Sequence, residues 1–162
     1  MKYCSTCGTE INDGAAVCTN CGSAVSNNAA SALQLKTNKG LAKFIFLSII
    51  TFGLYGIHIL STVSDDINIA ASRYDGKKTM NYCYMVLMTP ITLGIYSFVW
   101  YHKMSARIGD ELKRRNIDYN FSCSDFWLWD VLGSLIIVGP FIYGYKLFKA
   151  TNLICADYNA KG

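Results

Sequence analysis

The chain has 162 residues, of which 52% are hydrophobic, 14% aromatic and only 16% charged. Soluble domains usually carry roughly 25% charged residues. Proline is scarce, with two residues, which excludes collagen-like and proline-rich disordered chains. The apolar excess lies beyond about residue 40, since the first 40 residues are polar. The composition therefore predicts a small head joined to a membrane-embedded body.

Four cysteines near the N-terminus form two Cys-x2-Cys pairs separated by ten residues: Cys4, Cys7, Cys18 and Cys21. Four thiolates at this spacing suit a tetrahedral Zn²⁺ site. The turn signal Asn12-Asp13-Gly14 between the pairs predicts short strands at 9–11 and 15–17. The pattern indicates a small β zinc ribbon over residues 1–23. Its metal is expected to be structural, because four cysteines leave no open position for water.

Two disulfides or an iron–sulfur cluster would use the same cysteines, since so short a segment needs some staple to fold. Met1 runs into Cys4 without an apolar leader, so we expect a reducing cytosol that keeps the thiols available for zinc. Nucleic acid is a poor partner for this head. Residues 1–24 carry Lys2 against Glu10 and Asp13, a net charge of −1, and few phosphates could be neutralised.

Residues 24–40 are small, polar and aperiodic, which predicts a flexible linker. Three apolar stretches follow. Residues 44–64 and 80–101 carry no formal charge, and residues 131–145 form a shorter third stretch. A helix needs about 20 apolar residues to cross a bilayer. We therefore predict that residues 41–162 form an all-α membrane domain with about three repeated helical units.

The first two stretches are related by a repeat, because the pattern of residues 51–55 recurs at 92–96, with 139–143 as a looser third copy. Two topologies fit such units. Three full crossings would place the basic residues of 102–125 in the cytoplasm, and we favour them. The alternative is a set of re-entrant hairpins that bend at Gly53, Gly94 and Gly139-Pro140 and keep every polar tail on one side.

The repeated motif has a family resemblance. The second unit reads Ile-Thr-Leu-Gly-Ile-Tyr over residues 91–96, followed by Trp100, and the first reads Ile-Thr-Phe-Gly-Leu-Tyr over 50–55. With the ribbon, the chain resembles bacterial proteins that join a zinc ribbon to a membrane domain of unknown function with repeated I-T-L-G-I-Y-x3-W motifs. The resemblance covers residues 3–23 and about 40–160. It implies a multi-pass membrane protein and supplies no activity.

Other candidate residues are isolated in the sequence. His58 lies inside the first apolar stretch, where we expect a neutral imidazole bonded between helices or else a functional group. Asp130 is expected at a hydrated boundary. Three single cysteines, Cys83, Cys123 and Cys155, form no nucleophile constellation. We therefore predict that the protein is not an enzyme.

The sequence thus predicts a multi-pass protein of the cell membrane with its zinc ribbon in the cytoplasm. The ribbon is expected to act as an interaction or adaptor module. Expected partners are the lipid bilayer, proteins bound through the ribbon, and other copies of the chain. A small channel or transporter component is the alternative function, and membrane-tethered nucleic-acid binding is a weaker third.

Overall fold

The structure is a computed structural model and describes residues 2–3, 10–11, 20–21 and 34–161. The chain divides into two compact units, residues 1–34 and 35–162. In the first unit, strand β1 (Lys2–Tyr3) pairs antiparallel with strand β2 (Glu10–Ile11). The expected strand at 9–11 thus has residues 2–3 as its partner. The other expected strand, 15–17, lies outside the described residues.

The second unit, which we call the helical body, is built from helices joined by short turns. A single turn separates α1 from α2 and another separates α3 from α4. A π-helical and a 3-10 segment precede the last helix. The elements are α1 (Leu41–Ile50), α2 (Leu54–Asp75), α3 (Tyr82–Ile91), α4 (Ile95–Arg114), α5 (Cys123–Asp125), the π-helical Phe126–Leu132, the 3-10 turn Gly133–Ile136 and α6 (Gly139–Lys161).

The breaks after α1 and α3 have the same geometry. Gly53 and Gly94 adopt φ of +87° and +85°, a left-handed conformation that glycine adopts without steric cost. The N–H of Gly53 donates to the carbonyl of Ser48 at 2.7 Å, and that of Gly94 to the carbonyl of Thr89 at 2.8 Å. The chain therefore reverses within three residues and the next helix packs back against the previous one.

The third reversal differs from the one expected at Gly139-Pro140. The chain turns at 133–138, where Ile137 has a φ of +64°, and Gly139 already begins α6. Gly133 and Gly139 approach so closely that a Cβ on either would overlap the other's backbone. Pro140 stands at the start of the helix, where its missing N–H costs nothing.

The core lies where the long helices α2, α4 and α6 meet. Ile67, Ile108 and Thr151 each have 0% exposure at this centre. The hydroxyls of Ser105 and Tyr143 lie 2.8 Å apart, and Arg115 Nη1 lies 2.7 Å from Asp157 Oδ2. Residue numbers increase in the same direction along both helices from the first pair to the second, so α4 and α6 are parallel.

The three chain reversals lie at one end of the helical body. Residues 76–81 run back along α2, since Asn81 bonds Asp65 at 3.0 Å and Thr79 bonds Asn68 at 2.8 Å. They lead into α3, which carries the second break towards the start of α2. The π-helical segment runs beside the first half of α4, with the Phe126 ring 5.7 Å from that of Tyr101.

None of the helices among the described residues is both long and apolar enough to cross a membrane. The predicted fold class, a β zinc ribbon followed by an all-α membrane domain, is therefore wrong, and so is the multi-pass localisation. The physical reason is that Gly53 and Gly94 divide the first two apolar stretches. Each leaves a ten-residue helix on one side, α1 or α3, and a longer helix with a charged second half on the other.

Candidate functional site

Three of the four predicted metal ligands, Cys4, Cys7 and Cys18, lie outside the described residues. Cys21 is described and is exposed in a turn. Among the residues that the structure describes, no group of three or more metal-ligating side chains occurs. The four-thiolate set therefore stays a prediction. Its chemistry fits structural zinc, which four cysteines bind without an open position.

The end of the helical body that holds the reversals exposes large apolar side chains. Phe52 is 98% exposed, Leu93 92% and Leu135 84%. We call the segments 46–54, 87–95 and 132–138 the apolar tips. They contain no charged residue, and they expose further aliphatic and aromatic side chains: Phe46, Ile49, Ile50, Leu54, Leu87, Ile91, Ile95, Leu132, Ile136 and Ile137.

Threonine side chains bridge the bends of the first two tips. Thr51 Oγ1 donates to the carbonyl of Leu47 at 2.7 Å and accepts the N–H of Tyr55 at 2.9 Å. Thr92 makes the equivalent bonds to Met88 and Tyr96. Each threonine thus links the helix before its break to the helix after it.

Asp130 lies next to the third tip, in the π-helical segment. Its side chain is half-buried, and burial raises the pKa of its carboxyl group. The pKa values of Tyr101 and Tyr143 are raised, mainly by burial. The negative charge of Asp130 contributes to the rise in both. Asp130 is thus a carboxylate whose neutral form its surroundings favour.

The opposite end, which we call the charged base, comprises residues 65–79, 102–118 and 146–161. Arg107 is its centre, with a side chain that is 7% exposed. It donates to Asp75 at 2.7 Å and also to the Asn68, Thr79 and Ser72 side chains and the Lys77 carbonyl, at 2.6–2.9 Å. One guanidinium therefore joins α2, α4 and the loop between α2 and α3.

The carboxylate of Asp75 responds to this network. Burial raises its pKa, but the hydrogen bonds from Arg107 and from the N–H of Lys77 outweigh burial, and the pKa is lowered overall. Asp157 behaves similarly, since Lys161 and Arg115 lower its pKa against the opposing effect of burial. The ionised forms of both groups are thus stabilised in the folded protein.

A second buried cluster fixes residues 35–39 to α6. The amide side chain of Asn152 bonds both the N–H and the carbonyl of Lys39, and Asn159 does the same for Leu35, at 2.7–3.1 Å. Lys39 Nζ lies 2.6 Å from Asp66 Oδ2, and both side chains are buried. Burial raises the pKa of the adjoining Cys155 thiol to about 11, which disfavours its thiolate form.

A pocket of about 920 Å³ opens between α4 and the loop of residues 76–81. One part of its wall is apolar and aromatic, formed by Met80, Tyr96, Val99 and Trp100. The other part carries Lys77, Lys78, Lys103, Arg107 and Arg114, together with Asp75, Asp110 and Glu111. The pocket therefore has one apolar and one largely basic side.

The isolated candidates of the sequence are not brought together. His58 is exposed on α2, and its ring lies 6.4 Å from that of Tyr55 in the same helix. Cys83 is exposed, Cys123 is half-buried and Cys155 is buried. The lysines of the pocket are not predicted from the sequence as a site; their only signal there is that basic residues lie on both sides of the charge-free stretch 80–101.

The comparisons with known proteins give two domain matches. The zinc-ribbon domain matches residues 3–25, and the domain of unknown function DUF4234 matches residues 39–110. No curated protein and no solved structure matches the chain. The chain thus has a zinc-ribbon domain at its N-terminus followed by a DUF4234 domain, as the resemblance implied for the order of its two parts.

Proposed function

We propose that the protein is an adaptor that docks on a lipid bilayer through its apolar tips and binds other proteins through its zinc ribbon. The observation that carries the docking is the exposure of Phe52, Leu93 and Leu135, at 98%, 92% and 84%, at one end of the helical body. Large contiguous apolar patches on a folded protein are typical of interaction sites.

A bilayer fits this surface because the tips project rather than form a groove. An arm of ten residues, such as α1 or α3, is about 15 Å long, which is half of the hydrocarbon thickness. The tips would enter one leaflet without crossing it. Hydrocarbon demands that backbone groups be paired, and Thr51 and Thr92 bridge the bends of the first two tips.

The residues beside the tips have the character of a membrane interface. Tyr84, Trp127 and Tyr145 are 63%, 45% and 55% exposed. Tyrosine and tryptophan favour the headgroup level, because an apolar ring and a polar atom are solvated there together. The charged base follows, so polarity increases steadily away from the tips.

The adaptor role rests on the ribbon match over residues 3–25 and on its predicted four-cysteine zinc site. A closed zinc site supplies fold stability rather than chemistry. Deleting residues 1–24 should abolish capture of a protein partner in cross-linking experiments and leave bilayer docking intact. Unchanged cross-links after the deletion would contradict this role.

Flotation with neutral phosphatidylcholine vesicles tests the docking. The full chain should float with the vesicles, and a Phe52→Asp, Leu93→Asp double variant should stay at the bottom of the gradient, because two charges would enter hydrocarbon. An Asn116→Asp, Ala160→Asp double variant is the matched control, since both residues are exposed in the charged base and neither lines the pocket. Docking fails as an explanation if the wild-type chain does not float or if the double variant floats equally.

A further inference from the structure

We propose that the pocket between α4 and residues 76–81 binds one anionic lipid of the bilayer, with the lipid phosphate at Lys77, Lys78 and Lys103. The acyl chains would leave along Tyr96 and Val99 towards the second apolar tip. This inference rests on the proposed bilayer docking. It adds a specific lipid site to a surface that would otherwise bind hydrocarbon without selectivity.

The size and shape of the pocket suit a ligand. Its volume of about 920 Å³ lies within the range of roughly 300–1,000 Å³ that is usual for small-molecule sites. Trp100 is 3% exposed, and its Nε1–H donates to the carbonyl of Met80 at 2.7 Å. This bond joins the two walls of the pocket on the apolar side.

The polarity of the pocket changes along α4 in the direction that an embedded lipid requires. Tyr96 and Val99 lie within the first five residues of α4, next to the break at Gly94, and Lys103 follows about two turns later. At a rise of 1.5 Å per residue, Lys103 is about 10 Å further from the tip than Tyr96. A lipid with its chains in the leaflet would present its phosphate at the level of Lys103.

The charges in the pocket favour an anion. Within the described part of the chain, no hydrogen bond or ion pair engages the ammonium groups of Lys77, Lys78 and Lys103, which are exposed. Two of the lining carboxylates are neutralised by arginines, Asp75 by Arg107 and Glu111 by Arg114. Asp110 is the remaining lining carboxylate, so uncommitted positive charge exceeds uncommitted negative charge.

The basic wall is held in place before a ligand arrives. Arg107 bonds the Lys77 carbonyl at 2.6 Å and the Thr79 hydroxyl at 2.8 Å, which fixes the loop that carries Lys77 and Lys78. Its donors are used in these bonds and in those to α2, so the lysines provide the charge for a ligand. A fixed site loses less conformational entropy on binding than a mobile one.

Vesicle binding tests the site. The wild-type chain should bind vesicles of phosphatidylcholine with added phosphatidylglycerol more tightly than vesicles of phosphatidylcholine alone. Each lysine near an anionic membrane contributes about fivefold. The triple variant Lys77→Gln, Lys78→Gln, Lys103→Gln should therefore lose roughly a hundredfold in affinity for the anionic vesicles, with unchanged thermal unfolding.

The matched control removes the same charge from exposed lysines elsewhere in the helical body: Lys36→Gln, Lys113→Gln, Lys149→Gln. This variant should bind the anionic vesicles nearly as the wild type does, because these lysines do not line the pocket. Equal losses in the two triple variants would overturn the site in favour of diffuse attraction. A pocket variant that binds like the wild type would also overturn it.

Fluorescence quenching identifies the ligand. The chain has three tryptophans, so a Trp127→Phe, Trp129→Phe background leaves Trp100 as the reporter in the pocket. Phosphatidylglycerol with brominated chains should quench it more than brominated phosphatidylcholine does. Equal quenching, or full displacement by soluble inorganic phosphate, would overturn an anionic lipid as the ligand. Failure of the wild-type chain to float with neutral vesicles would instead reject the docking itself.

Discussion

The apolar tips and the charged base are made by the same helices but differ in which side chains are exposed. At the tips, Phe52 and Leu93 are almost fully exposed, whereas in the base Arg107 and Glu111 are buried. A protein surrounded only by water normally has the reverse distribution. The stability of the fold therefore comes largely from the charged base, where α2, α4 and α6 meet. The tips add little to stability and are available for contact with a bilayer.

Arg107→Ala should have the largest effect on stability. It leaves the Asp75 carboxylate, three further polar side chains and the Lys77 carbonyl without their shared donor. Removing a buried guanidinium from several hydrogen-bond partners typically costs about 3 kcal/mol, which should appear as a lower midpoint in urea unfolding. Phe52→Ala, in a residue with 98% exposure, should change the free energy of unfolding by less than about 0.5 kcal/mol. Equal losses would contradict the division between base and tips.

Gly109→Ala should have the next largest effect. A Cβ at Gly109 would stand 2.5 Å from the backbone carbonyl oxygen of Phe121, so α4 or the following segment must shift. Overpacking of this kind costs about 2 kcal/mol, measurable by thermal unfolding. Gly144→Ala is the control, because its Cβ would meet only the Leu41 Cδ1 atom, at 3.2 Å. A Gly109→Ala variant as stable as Gly144→Ala would contradict the close approach.

Asp130 should give a smaller, pH-dependent effect. Burial raises the pKa of this carboxyl, so its neutral form is favoured and its charge opposes entry of the third tip into hydrocarbon. Docking on neutral vesicles should strengthen as the pH falls through this raised pKa and weaken as it rises. Asp130→Asn should bind several-fold more tightly at neutral pH and lose that dependence. An unchanged pH profile in the variant would contradict this role.

Low pH should destabilise the charged base of the helical body. The pKa values of Asp75 and Asp157 are lowered in the folded protein from 3.8. The stability that their ionised forms contribute is fully present above the unfolded value and is lost as the pH falls through the folded values. Unfolding midpoints should therefore decline below about pH 4. Asp157→Asn should show a shallower decline than the wild type, and an identical decline would contradict the assignment.

The sequence predicted the apolar character of the tips but not their arrangement. Charge-free stretches of sufficient length indicate membrane-crossing helices, and this pattern favours three crossings over hairpins. The left-handed turns at Gly53 and Gly94 interrupt the first two stretches at the positions where the hairpin alternative bends, and each turn is closed by a hydrogen bond, to Ser48 or to Thr89. The third reversal lies before the predicted bend at Gly139-Pro140, where Gly133 packs closely against Gly139.

The contacts of the base could not be read from local patterns. Arg107 binds Asp75 and Asn68 across 32 and 39 residues of chain, and Lys39 reaches Asp66 from another element. Residue types at such separations carry no periodic signal. The predicted zinc ligands, by contrast, can be recognised from a local pattern. Their spacing alone identifies Cys4, Cys7, Cys18 and Cys21 as a set, and the described residues include only the last of them.

The depth of the first tip in a bilayer tests the central claim most directly. Phe52→Trp and Lys113→Trp variants, each with Trp127→Phe and Trp129→Phe, would be bound to vesicles of lipids brominated at the middle of the acyl chain. Lys113 is exposed in the charged base and does not line the pocket. We expect strong additional quenching in the Phe52→Trp variant and none in the Lys113→Trp variant. Equal quenching in the two variants, or none in either, would contradict a body that enters one leaflet by its tips.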